Sequence, residues 1–354
     1  MRLEELPGLA GLLPEPGATD PGYHLAVLRG HEVAFQETRG LANVDAAEPL
    51  TAGSIFYVGS LAKQFVAACV ALLERDGALD PDDAVSRYVP GLPAWSERVT
   101  VRHLVHHTGG LPPPPYGPDG LSPAGVRAMG NADRMRRVAA LTELPAEPGN
   151  AYVYSNDGYL LLAEVVAAAS GTSLRAFAHE RLVAPLDMRD TFFRDAPEPL
   201  PAAAARGHFR AGDGERYVEP ARFHAVGAGG LWTTAADLAR WNANLDDDAL
   251  TEGWLPERLT TRGRLNDRTE IHYAWGVSVR THRGLGIVSH GGSFPGWSAK
   301  MVRFPDRRTT VIVLANDEEL DASELAFRVA DHVLADALDH RAPSAADTLR
   351  GSDG

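Results

Sequence analysis

A serine and a lysine three positions apart form the first group of residues with catalytic potential. Ser60 and Lys63 lie where the apolar spacing changes from a strand-like run to that of a helix. Residues i and i+3 share one helical face, so the lysine amine can reach the serine hydroxyl. A lysine deprived of water by burial loses its proton more readily and can accept the serine proton. The spacing predicts a nucleophile at Ser60 that is activated by Lys63.

Lysine is scarce in this chain. Of its 34 basic residues, only Lys63 and Lys300 are lysine and the other 32 are arginine. Arginine stays protonated at any working pH, whereas a buried lysine can become neutral. A Ser-x-x-Lys match is weak by itself, but the lysine at position 63 favours a role that depends on losing a proton.

A tyrosine and an asparagine form the second group, in a predicted loop before a helix that Asp157 is expected to cap. Tyr154, near a lysine ammonium, can share its proton and act as the base for Ser60 and then as the acid for the leaving group. Asn156 can bridge Lys63 and a substrate amide. We therefore predict Tyr154 as catalytic and Asn156 as substrate-binding.

The third group is the run His290, Gly291, Gly292 and Ser293, at the end of a strand predicted over 285–289. Two glycines let a substrate approach the strand edge closely, and the N–H that follows them can pair with that of Ser60 as an oxyanion hole. His290 is expected to line the pocket. All four residues are predicted to bind substrate.

Strand patterns stand at both ends of the chain and helix patterns between them. This order predicts one α/β lobe from residues 1–58 and 270–340, an inserted and mainly helical lobe from 59–269, and a disordered tail over 341–354. The cleft between two such lobes is a usual place for a small-molecule site. The predicted elements are a hairpin of 22–28 and 32–38, helices at 60–76, 100–106, 158–170, 234–245 and 321–338, and strands at 285–289, 297–304 and 309–316.

Other motifs are interpreted as structural. His103, His106 and His107 have no acidic residue beside them and no metal-ligand spacing, so they are predicted to be structural histidines. Pro295 occupies the place that the second glycine of a G-x-S-x-G nucleophile elbow requires. The single cysteine, Cys69, excludes an intrachain disulfide.

Composition narrows the partners. The formal net charge of −13 argues against binding to nucleic acid or to an anionic membrane surface. No run approaches the roughly eighteen apolar residues of a membrane span. The N-terminus lacks a basic region followed by an apolar one, so a cytoplasmic location is expected. The expected partner is a small molecule or short peptide, and the oligomeric state is left open.

The three groups in this order resemble the serine β-lactamase and penicillin-binding-protein family, especially its class C β-lactamase, D-aminopeptidase and esterase branch. The resemblance extends over residues 21–338. It implies a β-lactamase/transpeptidase-like α/β fold, in which helices flank an antiparallel sheet built from both termini and a helical lobe is inserted. It also implies a general base shared by Lys63 and Tyr154, oxyanion donors at the N–H groups of Ser60 and Ser293, and no metal or organic cofactor.

Position 290 departs from the β-lactamases of that family, whose third motif usually begins with lysine. The His-x-Gly form resembles D-aminopeptidases, D-specific esterases and amidases, and peptide cyclases of the penicillin-binding type. The expected function is therefore hydrolysis of amide or ester bonds in small peptides or amino-acid derivatives, including D-configured ones. Two alternatives stay open: an acyltransferase or peptide cyclase with the same acyl-enzyme, and a non-catalytic ligand-binding module, which would be expected to lack Lys63 or Tyr154.

Overall fold

An antiparallel sheet of six strands joins the two ends of the chain. The computed structural model describes residues 8–113, 130–210, 216–218, 223–339 and 341–345. The described strands are β1 (Tyr23–Arg29), β2 (Glu32–Arg39), β3 (Leu41–Asn43), β4 (Glu48–Pro49), β5 (Phe56–Tyr57), β6 (Phe192–Phe193), β7 (His208–Arg210), β8 (Arg216–Val218), β9 (Leu231–Thr233), β10 (Ser278–His282), β11 (Leu285–Phe294), β12 (Trp297–Phe304) and β13 (Thr309–Ala315). The large sheet has the order β10-β11-β12-β13-β1-β2. Its strands β1 and β13 pair with Val27 opposite Val311, so the sheet is built from both ends of the chain, as predicted.

Helices cover both faces of this sheet. The described α-helices are α1 (Lys63–Arg75), α2 (Val101–Val105), α3 (Asn131–Ala139), α4 (Asn156–Ser170), α5 (Leu174–Ala178), α6 (Ala235–Asp247), α7 (Trp254–Thr260) and α8 (Ala322–Val333). Successive residues of a strand point to opposite faces. Leu25 and Val27 accordingly pack in one core with Val329 of α8. Ala26 and Leu28 pack in the other core, which contains α1 and α4.

Helix α1 is the buried centre of the second core. Every residue from Lys63 to Leu73 is buried, which is typical of a helix surrounded by other elements rather than one with a solvent face.

Within the described ranges, no single helix is long and apolar enough to cross a bilayer. Residues 156–170 and 174–183 reach that length and apolar character only together, as a pair of helical segments bent by 75°.

Two predicted helix caps are confirmed and one is wrong. The side chains of Thr100 and Thr234 accept hydrogen bonds from the N–H groups three residues later and begin α2 and α6. Asp157 was predicted to cap α4, but that helix begins at Asn156 with Ser155 at the N-cap, so Asp157 lies in the first turn. The reason is that the chain is still extended at Ser155, with φ of −135° and ψ of 121°.

Strand β11 is longer than the sequence predicts. Its predicted end was residue 289, yet the strand continues through His290 and the two glycines to Phe294. Pairing with β12 accounts for the difference, because the ladder runs on until Phe294 lies opposite Trp297 at the turn. The third motif therefore lies within a strand and not in a strand-ending turn.

The C-terminal tail was predicted to be disordered over 341–354. Ser344 and Ala345 are instead buried, and the Ala345 N–H donates to Nδ1 of the buried His282 at 3.1 Å. The prediction is wrong for these two residues, because His282 supplies a partner that composition does not reveal. Residues 346–354 lie outside the described part of the chain.

Buried neutral histidines predict that the fold is sensitive to acid. His106 is 4% exposed, and burial lowers its pKa to about 3. Between pH 6.5 and about 3, His106 is therefore protonated in the unfolded chain but neutral in the folded chain. The free energy of unfolding falls as the pH decreases through this range. We expect His106 to account for a loss of about 2 kcal/mol between pH 7 and pH 5.

Urea unfolding at pH 7 and pH 5 measures this loss. His106→Leu is expected to reduce the difference between the two pH values by about 2 kcal/mol, whatever its effect at pH 7. His179 is exposed, so His179→Leu serves as the control and is expected to keep the wild-type difference. An unchanged difference in His106→Leu would contradict the prediction.

Candidate active site

Ser60 and Lys63 meet at the junction of a 3₁₀ turn and α1. The turn covers Gly59–Ala62, and Lys63 is the first residue of the helix. The Lys63 Nζ lies 2.9 Å from the Ser60 Oγ. Lys63 is fully buried, whereas Ser60 is half-buried. The hydroxyl is therefore within hydrogen-bonding reach of an amine that is shielded from water.

Two further partners orient the Lys63 amine. Its Nζ donates to the Asn156 Oδ1 at 2.9 Å and to the Ala228 carbonyl oxygen at 2.8 Å. Both partners can only accept hydrogen bonds, so they fix two N–H groups and leave the third tetrahedral position facing Ser60. Burial, with a smaller contribution from the charge of Arg134, lowers the pKa of Lys63 well below its ordinary value. In the neutral amine, the lone pair at the third position faces the Ser60 hydroxyl.

Tyr154 covers the lysine from the other side. The Lys63 Nζ lies 4.9 Å from the centre of the Tyr154 ring. The His107 ring packs against that ring at a tilt of 37°, with the two centres 4.3 Å apart. The His107 carbonyl accepts from the Val153 N–H, and its Nδ1 accepts from the Ser155 N–H at 3.1 Å. His107 thus holds the chain on both sides of Tyr154.

The backbone of β11 lies directly against the nucleophile turn. A Cβ at Gly292 would stand 2.0 Å from the Val58 carbonyl oxygen and 2.9 Å from the Ser60 nitrogen. A Cβ at Gly59, where φ is +52°, would stand 2.9 Å from the Ser293 nitrogen. Only glycines permit this approach, which gathers the backbone N–H groups of Ser60 and Ser293 at one place. The arrangement suits an oxyanion hole.

His290 lies in the same strand as a neutral imidazole. Its Nδ1 lies 2.6 Å from the Gly291 carbonyl oxygen, which can only accept, so Nδ1 carries the proton. Its Nε2 then accepts from the Tyr273 hydroxyl at 3.0 Å. Burial and the nearby Lys63 charge lower the pKa of His290 to about 3. Position 290 therefore supplies no positive charge at neutral pH.

The predicted site residues converge, with one exception in orientation. Lys63 contacts both Ser60 and Asn156, and the centres of the Tyr154 and His290 rings are 6.4 Å apart. A side chain at Gly291 would instead point towards Ala299 and Ser323, on the α8 side of the sheet. The prediction that Gly291 binds substrate therefore concerns only its backbone atoms.

Several parts of the site were not predicted as such. The Ala228 carbonyl has no sequence signature, because any residue could supply it. His107 was interpreted only as structural, and Tyr273 was not considered. Among the described residues, no group of three or more His, Cys, Asp or Glu side chains is arranged to hold a metal ion.

The chain is similar to several known proteins. The family model described as Beta-lactamase matches residues 14–334. The chain is 32% identical over 331 residues to penicillin-binding protein 4* of Bacillus subtilis (strain 168), a match that covers 86% of this chain and 70% of that protein. It is 28% identical over 324 residues to a D-aminopeptidase of Brucella anthropi, which covers 87% of this chain and 58% of that one.

Solved structures share the fold. An octameric penicillin-binding protein homologue from Pyrococcus abyssi superposes with a TM-score of 0.79 at 24% identity, covering 89% of this chain and 74% of that chain. The predicted β-lactamase/transpeptidase-like α/β fold is thereby confirmed. The chain spans 58% of the D-aminopeptidase's length, so the match does not cover the whole of that protein.

Proposed function

Because the chain belongs to the beta-lactamase family, we propose that it hydrolyses amide or ester bonds of small peptides and amino-acid derivatives through an acyl-enzyme on Ser60. One observation carries the proposal: the 2.9 Å contact between the Ser60 hydroxyl and a fully buried lysine amine whose other two partners can only accept. This is the arrangement that an activated serine nucleophile needs.

The first half of the reaction forms the acyl-enzyme. The Ser60 Oγ attacks the substrate carbonyl carbon while its proton passes to the Lys63 amine. The carbonyl oxygen becomes an oxyanion that accepts hydrogen bonds from the N–H groups of Ser60 and Ser293. When the carbon–nitrogen or carbon–oxygen bond to the leaving group breaks, the proton returns to the leaving atom through Lys63 and Tyr154.

The second half repeats these steps with water. A water molecule attacks the ester on Ser60 and gives its proton to the same base. Collapse of the second oxyanion breaks the ester bond, and the proton goes back to the Ser60 oxygen. Acyl transfer to an amine would use the same acyl-enzyme, with the amine in place of water.

Two features support amino-acid derivatives as substrates, with D-configured acyl groups among them. The D-aminopeptidase relative is named for such substrates. In β-lactamases a positively charged lysine at the start of the third motif pairs with a substrate carboxylate. His290 is neutral, so the third motif of this chain lacks that charge. We therefore expect efficient cleavage of simple amides and esters and only weak hydrolysis of β-lactams.

Covalent labelling tests the proposal. Intact mass spectrometry after treatment with a fluorophosphonate is expected to show one adduct on the wild-type protein and none on Ser60→Ala. Ser86→Ala, a change at a half-buried serine of another segment, serves as the control and is expected to label fully. A wild-type protein without an adduct, or an adduct that persists in Ser60→Ala, would contradict the proposal.

Product analysis then separates hydrolysis from transfer. With D-phenylalanine amide as substrate and a second amine as competitor, we expect D-phenylalanine as the product. A predominant amide between the acyl group and the competitor would instead assign the chain to the acyltransferases.

A further inference from the structure

Helix α3 is fastened to the segment that holds the catalytic lysine. The Asn131 Oδ1 accepts from the Val226 N–H at 2.8 Å, two residues before the carbonyl of Ala228 that binds Lys63. The Asn131 Nδ2 donates to Glu164 of α4 at 3.0 Å. The first turn of α3 is thus fixed relative to the site, and Arg134 follows Asn131 by one turn on the same face.

Arg134 differs from its neighbour on the helix. Arg136 forms an ion pair with Asp133. Arg134 forms no ion pair with a carboxylate of the described ranges, and its Nε is buried without a hydrogen-bond partner there. Its guanidinium lies 5.7 Å from the centre of the Phe223 ring. A half-buried guanidinium that is paired with no carboxylate of the described residues is suited to bind an anion that arrives from outside.

Arg134 also lies on the site's side of the molecule. Its charge contributes to lowering the pKa of Lys63 and opposes the burial that raises the pKa of Asp157, at the beginning of α4. Phe223, beneath the guanidinium, packs on Phe294 with ring centres 4.9 Å apart. Phe294 directly follows Ser293, so Arg134 and the oxyanion donors belong to one wall.

The direction in which the substrate lies along β11 decides whether its acyl group or its leaving group contacts this wall. The leaving group has to face its proton donor, and Tyr154 lies at the His290 end of β11, with the two ring centres 6.4 Å apart. The acyl substituent then extends towards the opposite end of β11, where Phe294 and Phe223 lead to Arg134.

We propose that Arg134 binds a carboxylate carried by the acyl part of the substrate, so that the enzyme prefers acyl groups with an acidic side chain. This rests on the proposed function. Phe223 and Phe294 would pack on the aliphatic part of such a side chain, and the guanidinium would form a charge-assisted pair with its carboxylate. The matching substrates are α-amides or esters of D-glutamate and similar dicarboxylic acids.

An isosteric pair of substrates tests this specificity. The α-(4-nitroanilides) of D-glutamate and D-glutamine have nearly the same shape and differ by one negative charge. We expect the wild-type kcat/KM to favour the glutamate substrate by about 10- to 100-fold, the usual worth of a charge-assisted hydrogen bond. In Arg134→Met this ratio is expected to approach one.

Two more variants separate recognition from packing. Arg134→Lys keeps the charge without the planar fork and is expected to retain part of the preference. Arg136→Met removes an exposed arginine from the same helix and is expected to retain all of it. Because a change in the pKa of Lys63 would affect both substrates equally, the ratio isolates binding of the carboxylate.

Each outcome has one meaning. A wild-type enzyme without preference for the glutamate substrate, or an Arg134→Met variant that keeps the preference, overturns the inference. If neither anilide is cleaved although a fluorophosphonate labels Ser60, the cleft does not accept acyl groups of this shape and the inference is again wrong. If Ser60 is not labelled either, the proposed function itself has failed.

Discussion

Replacing Lys63 by arginine is expected to lower the rate of Ser60 acylation by about 10²- to 10⁴-fold, the range that a general base commonly contributes. Arginine retains its proton at every working pH, so it cannot take the proton of the Ser60 hydroxyl. The reason lies in the orientation of the amine, since Asn156 and Ala228 hold two of its N–H groups and only the third position faces Ser60. The burst of 4-nitrophenol from an activated D-amino-acyl ester measures the acylation rate.

The chain's other lysine provides a matched control. Lys300 is also buried, in β12, and its Nζ lies 5.4 Å from the centre of the Phe327 ring. Lys300→Arg makes the same chemical change away from Ser60 and is expected to acylate within about threefold of the wild-type rate. If the acylation rate of Lys63→Arg is within tenfold of the wild-type rate, Lys63 is excluded as the general base and Tyr154 is left in that role.

The pH dependence of acylation gives a second readout. Lys63 accepts a proton only when it is neutral, so the rate should rise with pH through the lowered pKa of Lys63 and level off above it. The buried lysine would thus already be active at a pH where an exposed lysine is protonated. In Lys63→Arg this rise is expected to disappear together with the activity.

Local patterns account for the parts of the fold that were predicted correctly. The helix after Ser60 and the caps at Thr100 and Thr234 depend on residues within one or two turns, and the structure confirms them. The contact between Ser60 and Lys63 is of the same kind, because three residues of a helical turn fix it. Such features can be predicted from sequence since the chain need not find a distant partner to form them.

The remaining parts of the site depend on distant partners. Two consecutive glycines weaken a strand pattern, so β11 was predicted to stop before them, although pairing with β12 carries it through Phe294. His107 reaches Tyr154 from a helix end 47 positions away in sequence, and only the fold shows the contact between their rings. Arg134 is one of 32 arginines, and that it pairs with no carboxylate among the residues the structure describes is a property of its surroundings, not of its type.

Replacing Gly292 by alanine is expected to lower acylation by about 10²- to 10³-fold, the usual effect of losing an oxyanion-hole donor. The new Cβ would stand 2.0 Å from the Val58 carbonyl oxygen, a backbone atom that cannot rotate away. Strand β11 would have to move from the nucleophile turn and take the Ser293 N–H with it. Forced overpacking of this kind also destabilises a protein by about 1–3 kcal/mol. The rate of fluorophosphonate labelling and urea unfolding measure the two effects.

Gly286 makes the comparison specific, because it lies in the same strand and a Cβ there meets no atom within 4 Å. Alanine at either position reduces the freedom of the unfolded chain to the same extent. The difference between the two variants therefore reports only the close approach of β11 to the turn. We expect Gly286→Ala to label at the wild-type rate. If Gly292→Ala labels as fast as Gly286→Ala, the N–H groups of Ser60 and Ser293 do not depend on this packing, and the oxyanion must be stabilised by other donors.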